Sequence, residues 1–231
     1  MKLSRRLQTI ADMIPRGKTV VDVGCDHGYL PIYLLKNHWI PGAVAVDVRP
    51  GPLERARRNI EAFGLEDYIE TRLSDGLEAV APGEGQVLVI AGMGGPLMEK
   101  ILERESDTAD AFPLWILQPQ SDIPHFRRFL EAKGRRIIEE RIVFEDGKYY
   151  SMMAAEPGNP FYRHGIEYLY GGLLLERRDP VLHQFLLKEK QQITEILVQL
   201  ESAGTRTAAN RKKELEKEKE QLMAALQYYE L

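Results

Sequence analysis

The sequence predicts an α/β fold, a mostly parallel seven-stranded sheet with helices on both faces, followed by an α-helical coiled-coil hairpin. Three observations predict it. Up to about residue 156, short β-rich runs alternate with helical patterns. This alternation ends in two strands joined at EDGK, where Asp146-Gly147 is a strong hairpin turn signal. Beyond EPGNP (156–160) the composition shifts to Leu, Glu, Lys and Gln at helical spacing.

The expected strands are TVVDVG (19–24), GAVAVDV (42–48), YIETRLSD (68–75), QVLVIAG (86–92) and PLWILQP (113–119), with two more in RRIIEERIVFEDGKYYSMMAAE (135–156). Their apolar runs suit strands buried on both faces of a parallel sheet. Helices fit between them at GYLPIYLLKNH, GPLERARRNIEAFG, GPLMEKILERES and IPHFRRFLEAKG, with only a short turn at LEAVAP. Five parallel strands closed by an antiparallel pair form the layout of the class I (Rossmann-like) methyltransferase sheet. In the C-terminal part, Leu182, Leu186, Ile193, Ile196 and Leu200 define one helix, and Leu215, Leu222, Leu226 and Tyr229 a second roughly a heptad apart. SAGTRT (202–207) is the turn, so the two helices should pack antiparallel. The expected domains are residues 1–158 and 159–231.

With 231 residues, 44% of them hydrophobic, and a net charge of −4, the chain can bury one substantial core plus a small appendage. The balance argues against indiscriminate nucleic-acid binding but allows a local basic face. One cysteine, Cys25, excludes an internal disulfide framework and suits a reducing cytosol. The basic start MKLSRRLQTIADMIP follows a helical period, not an unbroken apolar run, so a cytoplasmic protein without membrane association is expected. No metal site is expected, and a monomer is.

The turn after the first strand reads VGCDHG, and it carries Asp26 where a dinucleotide fold places its middle glycine. A carboxylate there would repel a diphosphate. It would attract the sulfonium and ammonium of S-adenosyl-L-methionine, which has no phosphate. Asp22 and Asp26 therefore offer acceptors to such a ligand, and Gly24 and Gly28 allow close backbone approach. Capping of the following helix is the competing role for Asp26. Asp47, about 20 residues on at the end of the second strand, would accept from ribose hydroxyls. Asp75, with Gly76 at the end of the third, would accept from the adenine amino group. The fourth strand ends IAGMGG, so Gly92, Met93, Gly94 and Gly95 offer backbone groups and room but no amine-holding side chain. An acceptor such as adenine N1, which already has a free lone pair, needs positioning more than a base. Close packing of the next helix is the competing role for these glycines.

LSRRL with ADMIP near the start, DVGCDHGYLP, IAGMGG, ILQPQ and EDGKYY together resemble the bacterial tRNA (adenine(22)-N1)-methyltransferase (TrmK) family, and the resemblance spans the whole chain. It implies a class I methyltransferase domain with a C-terminal coiled coil, transferring methyl from S-adenosyl-L-methionine to N1 of adenosine 22 in the D-arm of tRNA. The sequence departs from the family at Cys25, Asp47 and Gln120, where members carry Ser or similar, Glu and Asn. Because N1 is normally occupied in pairing, the base must be unstacked. Asp26 and Tyr29 are then the candidate catalytic residues, Tyr29 bordering the base unless it is simply core. Arg5 and Arg6 would hold phosphate, and Gln118 and Pro119 would line the substrate side. Arg206, Arg211, Lys212 and Lys213 form a further basic cluster, largely neutralised by neighbouring glutamates. A small-molecule N- or O-methyltransferase and a silent RNA-binding module on the same fold are the alternatives.

Overall fold

A computed structural model describes residues 1–159, 162–203 and 206–230, without the side chains of 202, 203 and 206. The chain divides into two compact units, Met1–Phe161 and Tyr162–Leu231.

The first unit runs α1 (Arg5–Met13), β1 (Val20–Val23), α2 (Tyr29–Lys36), β2 (Ala43–Asp47), α3 (Pro50–Ala62), β3 (Ile69–Leu73), β4 (Val87–Met93), α4 (Gly95–Arg104), α5 (Ser106–Asp110), β5 (Leu114–Pro119), α6 (Ile123–Ala132), β6 (Arg135–Glu145) and β7 (Lys148–Pro157). The seven strands form one sheet in the order β3-β2-β1-β4-β5-β7-β6. β1 to β5 pair in parallel, and β7 joins antiparallel between β5 and β6. Every residue of β1 and β2 is buried, which is why these runs are apolar apart from their acids. The sheet edges carry charge instead, Glu70 and Arg72 on β3 and an alternating pattern on β6. One apolar layer includes Ile10, Leu34 and Ile60. The other includes Leu77, Met98, Phe112, Trp115 and Phe126. Between α6 and β6, Arg127 and Glu140 are both fully buried and pair at 2.9 Å. Deleting either partner would strand a buried charge, at a cost of about 3–5 kcal/mol.

β1 is flanked by β2 and β4, so the direction of winding reverses between β1 and β4. That switch point opens a crevice at the carboxyl ends of the strands, where open α/β sheets bind ligands.

Two departures from the expected elements have local causes. The helix expected over 95–106 breaks at Glu105 (φ −110°, ψ 47°), and α5 starts afresh. The Ala109 carbonyl in the last turn of α5 accepts from the indole Nε1 of buried Trp115, six residues on, at 2.9 Å. In the second unit, α7 (Gly165–Tyr170) and α8 (Gly172–Glu176) precede the long helices α9 (Pro180–Ala203) and α10 (Arg206–Leu226). Gly171, at φ 93°, separates the short pair. Asp179 starts α9 by accepting from the N–H groups of Val181 and Leu182.

α9 and α10 pack antiparallel. Glu201 pairs with Lys212 at one end, and at the other the Tyr229 hydroxyl donates to the Asp179 carbonyl while its ring stacks on His183 at 4.3 Å. Leu182, Leu186, Ile193, Leu215, Leu222 and Leu226 are buried, whereas Ile196 is exposed. Near the tip, Arg211 pairs with Glu214 and Glu218, as the neutralised reading of that cluster expects. Lys213 is exposed, and the Arg206 side chain lies outside the described residues.

Candidate active site

The turn from β1 to α2 hangs on the end of β2. The N–H groups of Gly24 and Cys25 both donate to the Val46 carbonyl, at 2.8 and 3.1 Å, and Gly28 N–H donates to Cys25 O. Gly24 lies at φ +77° and Gly28 at φ +69°. The Met93 methyl occupies the space a Cβ on Gly24 would need. Gly24→Ala should therefore cost about 1–2 kcal/mol of stability from backbone strain and, by displacing Met93, weaken cofactor binding about tenfold or more. Thermal melts and calorimetry measure the two effects. Unchanged affinity would remove Gly24 from the site.

Asp22 and Asp47 lie at the base of this turn, 6% and 5% exposed. Asp47 accepts from the Arg49 N–H at 2.9 Å, with the Arg49 guanidinium 4.0 Å away and largely in solvent. Among the described residues, no side chain bonds to Asp22 or pairs with it. Burial, reinforced by the charge of Asp47, pushes the Asp22 carboxyl up to about 7. The Cys25 thiol is also driven up, by burial and by the charges of Asp22 and Asp47. Such a pocket of uncompensated negative charge costs stability by itself and suits a cationic ligand.

Asp26 differs from its expected state. It stands in the left-handed region at φ 46°, is exposed, and pairs with Arg55 at 3.3 Å. It caps nothing, because α2 begins at Tyr29 with Gly28 as its N-cap and no side-chain bond there. Arg55 and Asn59 lie four apart on α3. Together they grip the turn, since Asn59 donates to His27 O at 2.9 Å. Tyr29 is not core: it is exposed and stacks on His27, with ring centroids 5.1 Å apart and planes 7° from parallel.

Asp75 lines a cavity of about 340 Å³ with Val48, Leu73, Ser74, Glu78 and Ala79. Val48 and Leu73 are more than half exposed at the ends of β2 and β3. Neither is among the residues expected from the sequence; Val48 stands directly after the buried strand β2, which was the available signal, whereas Leu73 closes the half-exposed edge strand β3 and carries no such mark. The Arg104 guanidinium hydrogen-bonds Asp75 and holds its carboxyl below the usual range. Gly76, at φ +67°, packs on Ile101, which would meet a Cβ at 2.9 Å.

At the end of β4, buried Gln118 on β5 joins two elements. Its Oε1 accepts from Gly92 N–H at 3.1 Å and from Arg6 Nη1 at 3.0 Å, while its Nε2 donates to Pro119 O. Arg6 also lies over the Tyr150 ring, 5.7 Å from its centroid. The start of α1 is secured by Glu145, whose Oε2 accepts from Arg6 N–H at 3.1 Å. Burial would raise the Glu145 carboxyl, but the N–H groups of Arg6 and Arg5 more than offset that and hold it low. Arg6 thus stands at the ligand edge beside Gly92, whose missing Cβ would be 3.4 Å from Arg6 Nη1. Arg5 does not, because its guanidinium is directed to Phe144 O on β6. Gly95 is buried, and a Cβ there would meet Ser121 O at 2.7 Å, so close packing accounts for it. Gly94 is tight against Ser121 Oγ in the same way, at 3.0 Å.

Residues 3–153 match the methyltransferase domain family. A tRNA (adenine(22)-N(1))-methyltransferase of Bacillus subtilis is 39% identical over 84% of this chain and 78% of that protein. The chain belongs to the tRNA (adenine(22)-N1)-methyltransferase family. Among solved structures of similar proteins, the B. subtilis M1A22 tRNA methyltransferase TrmK has 36% identity and a TM-score of 0.85, covering 97% of this chain and 99% of that one. A Streptococcus pneumoniae protein solved in complex with S-adenosyl-L-methionine has 31% identity and a TM-score of 0.87, covering 97% and 100%. Among the described residues, no helix is long and apolar enough to cross a membrane.

Proposed function

We propose that this chain transfers the methyl group of S-adenosyl-L-methionine to N1 of adenosine 22 in tRNA, acting in the cytoplasm as a monomer. The observation that carries this is the buried pair Asp22 and Asp47, with no cation on Asp22 among the described residues, at the switch point of a sheet whose family methylates that atom. When bound, S-adenosyl-L-methionine supplies an electrophilic methyl group on a sulfonium. Asp22 holds the ammonium of its amino-acid part, and Gly24 and Gly28 keep the turn clear of side chains. Asp47 accepts from the ribose hydroxyls. Val48 and Leu73 cover the faces of the adenine, and Asp75 accepts from its amino group.

On the substrate side, exposed Tyr29, stacked on half-buried His27, offers a flat surface to an unstacked base. Gly92 and Met93, both half-buried, present backbone beside it, backed by buried Gln118 and Pro119. The Asp26–Arg55 pair is exposed and worth about 1 kcal/mol or less, so it can open toward a developing cation. Methylation at N1 leaves a positively charged base, and the Asp26 carboxylate stabilises that charge without removing a proton first.

Unmodified tRNA transcript incubated with protein and cofactor is expected to yield N1-methyladenosine in the fragment containing adenosine 22, and none when that position is guanosine. N6-methyladenosine as product would overturn the acceptor assignment. Single-turnover rates at saturating cofactor are expected to be flat above neutral pH and to fall in acid, where N1 takes a proton. A steep alkaline rise would mean that a catalytic base acts on an amine.

A further inference from the structure

The Asp75 carboxylate, which lines the cavity beyond β3, is oriented from outside its own loop. Arg104, in the last turn of α4, donates Nη1 to Asp75 Oδ2 at 2.7 Å and Nη2 to the Asp75 backbone carbonyl. It also stands 3.4 Å from Glu78, a second residue lining the cavity, and 3.5 Å from Glu105. The loop backbone is closed independently, since Ser74 Oγ donates to Gly76 O and accepts from Ala79 N–H, both at 3.0 Å. Asp75 is half exposed, so without Arg104 little would fix its side chain. With Arg104 in place, Oδ2 is occupied on the α4 side and Oδ1 has no protein partner among the described residues.

We propose that Arg104 is a positioning residue that gives the cofactor site its preference for a 6-amino purine over a 6-oxo purine. The inference rests on the reading of Asp75 as the partner of the adenine amino group. A guanidinium fork bonded to both the carboxylate and the carbonyl of one residue removes its rotational freedom and presents a single acceptor oxygen to the cavity. An exocyclic amine donates to that oxygen. The carbonyl of a 6-oxo purine meets it as acceptor against acceptor, leaving two polar atoms unpaired. A carboxylate freed from Arg104 can turn into solvent, and the penalty against the oxo form is then lost.

Calorimetry of the full-length protein with S-adenosyl-L-homocysteine and S-inosyl-L-homocysteine, which differ only at that purine position and the adjacent ring nitrogen, tests this. The wild type is expected to prefer the adenosine form by about 30-fold or more. Arg104→Gln should bring the ratio below about 5-fold, and Arg104→Lys, which keeps charge without the fork, should lower it at least about threefold. If the wild type shows no preference, the reading of Asp75 fails. If the wild type discriminates but the ratio is retained in either folded variant, even with both ligands weakened equally, Arg104 is merely structural and the inference is overturned.

Discussion

Asp22→Asn is expected to stabilise the protein without cofactor and, at the same time, to weaken cofactor binding by about 30–100-fold. Both effects follow from one carboxylate held at a folded pKa of about 7 by burial and by Asp47. In the unfolded chain the group titrates near 3.9. Between those values the native state holds a proton that the unfolded state has released, so stability falls as pH rises through this window. The penalty is fully present above about pH 7. Asparagine carries no charge and escapes it, so the variant should be more stable at pH 8 by about 2–4 kcal/mol, and the gap should close toward pH 4. Binding runs the other way, because a ligand ammonium is held by the ionised form. Wild-type affinity should rise from pH 6 to 7.5, while the variant's stays flat. Thermal melts across pH and calorimetry at pH 6 and 7.5 check both halves. A variant that is less stable at pH 8, or that keeps full affinity, would show that Asp22 is structural.

Arg6→Ala is expected to lower kcat/KM for tRNA by about 100-fold, equivalent to about 2.7 kcal/mol of lost transition-state binding, while changing cofactor affinity by less than about twofold. The guanidinium is held by Gln118 Oε1 beside Gly92, and the start of α1 behind it is tied to Glu145. A cation immobilised in this way gives up little entropy when it meets a phosphate or a base. Arg5→Ala is the internal control. Its guanidinium is directed to the β6 end of the hairpin, so a loss of no more than about fivefold is expected. Equal losses for both arginines would indicate diffuse electrostatic attraction. A parallel fall in cofactor affinity for Arg6→Ala would mean that the end of β4 had shifted.

By itself the sequence determined the order and type of the strands, because strands buried on both faces must be continuously apolar, and TVVDV, GAVAV and PLWIL admit no other reading. It also determined where the acids fall. An Asp in the last residues of a parallel strand or just beyond it lies near the carboxyl edge of the sheet whatever the helices do: Asp47 ends β2, Asp22 is one residue from the end of β1, and Asp75 follows β3 by two, so all three could be placed without a structure. What each acid meets there was decided only by tertiary packing. Asp26 meets Arg55, and Asp75 meets Arg104, each across 29 positions of sequence, through helix faces whose charged residues look like ordinary solvated ones. Arg6 meets Gln118 across 112 positions, and Arg5 beside it is directed elsewhere because adjacent residues on a helix point about 100° apart. Tyr29 could have been core or surface, and the seating of α2 put it outside, against His27. Strand identity is written in local hydrophobic periodicity. The partner of a charged side chain depends on the rotation and seating of a whole helix, which the apolar face sets and the charges merely follow.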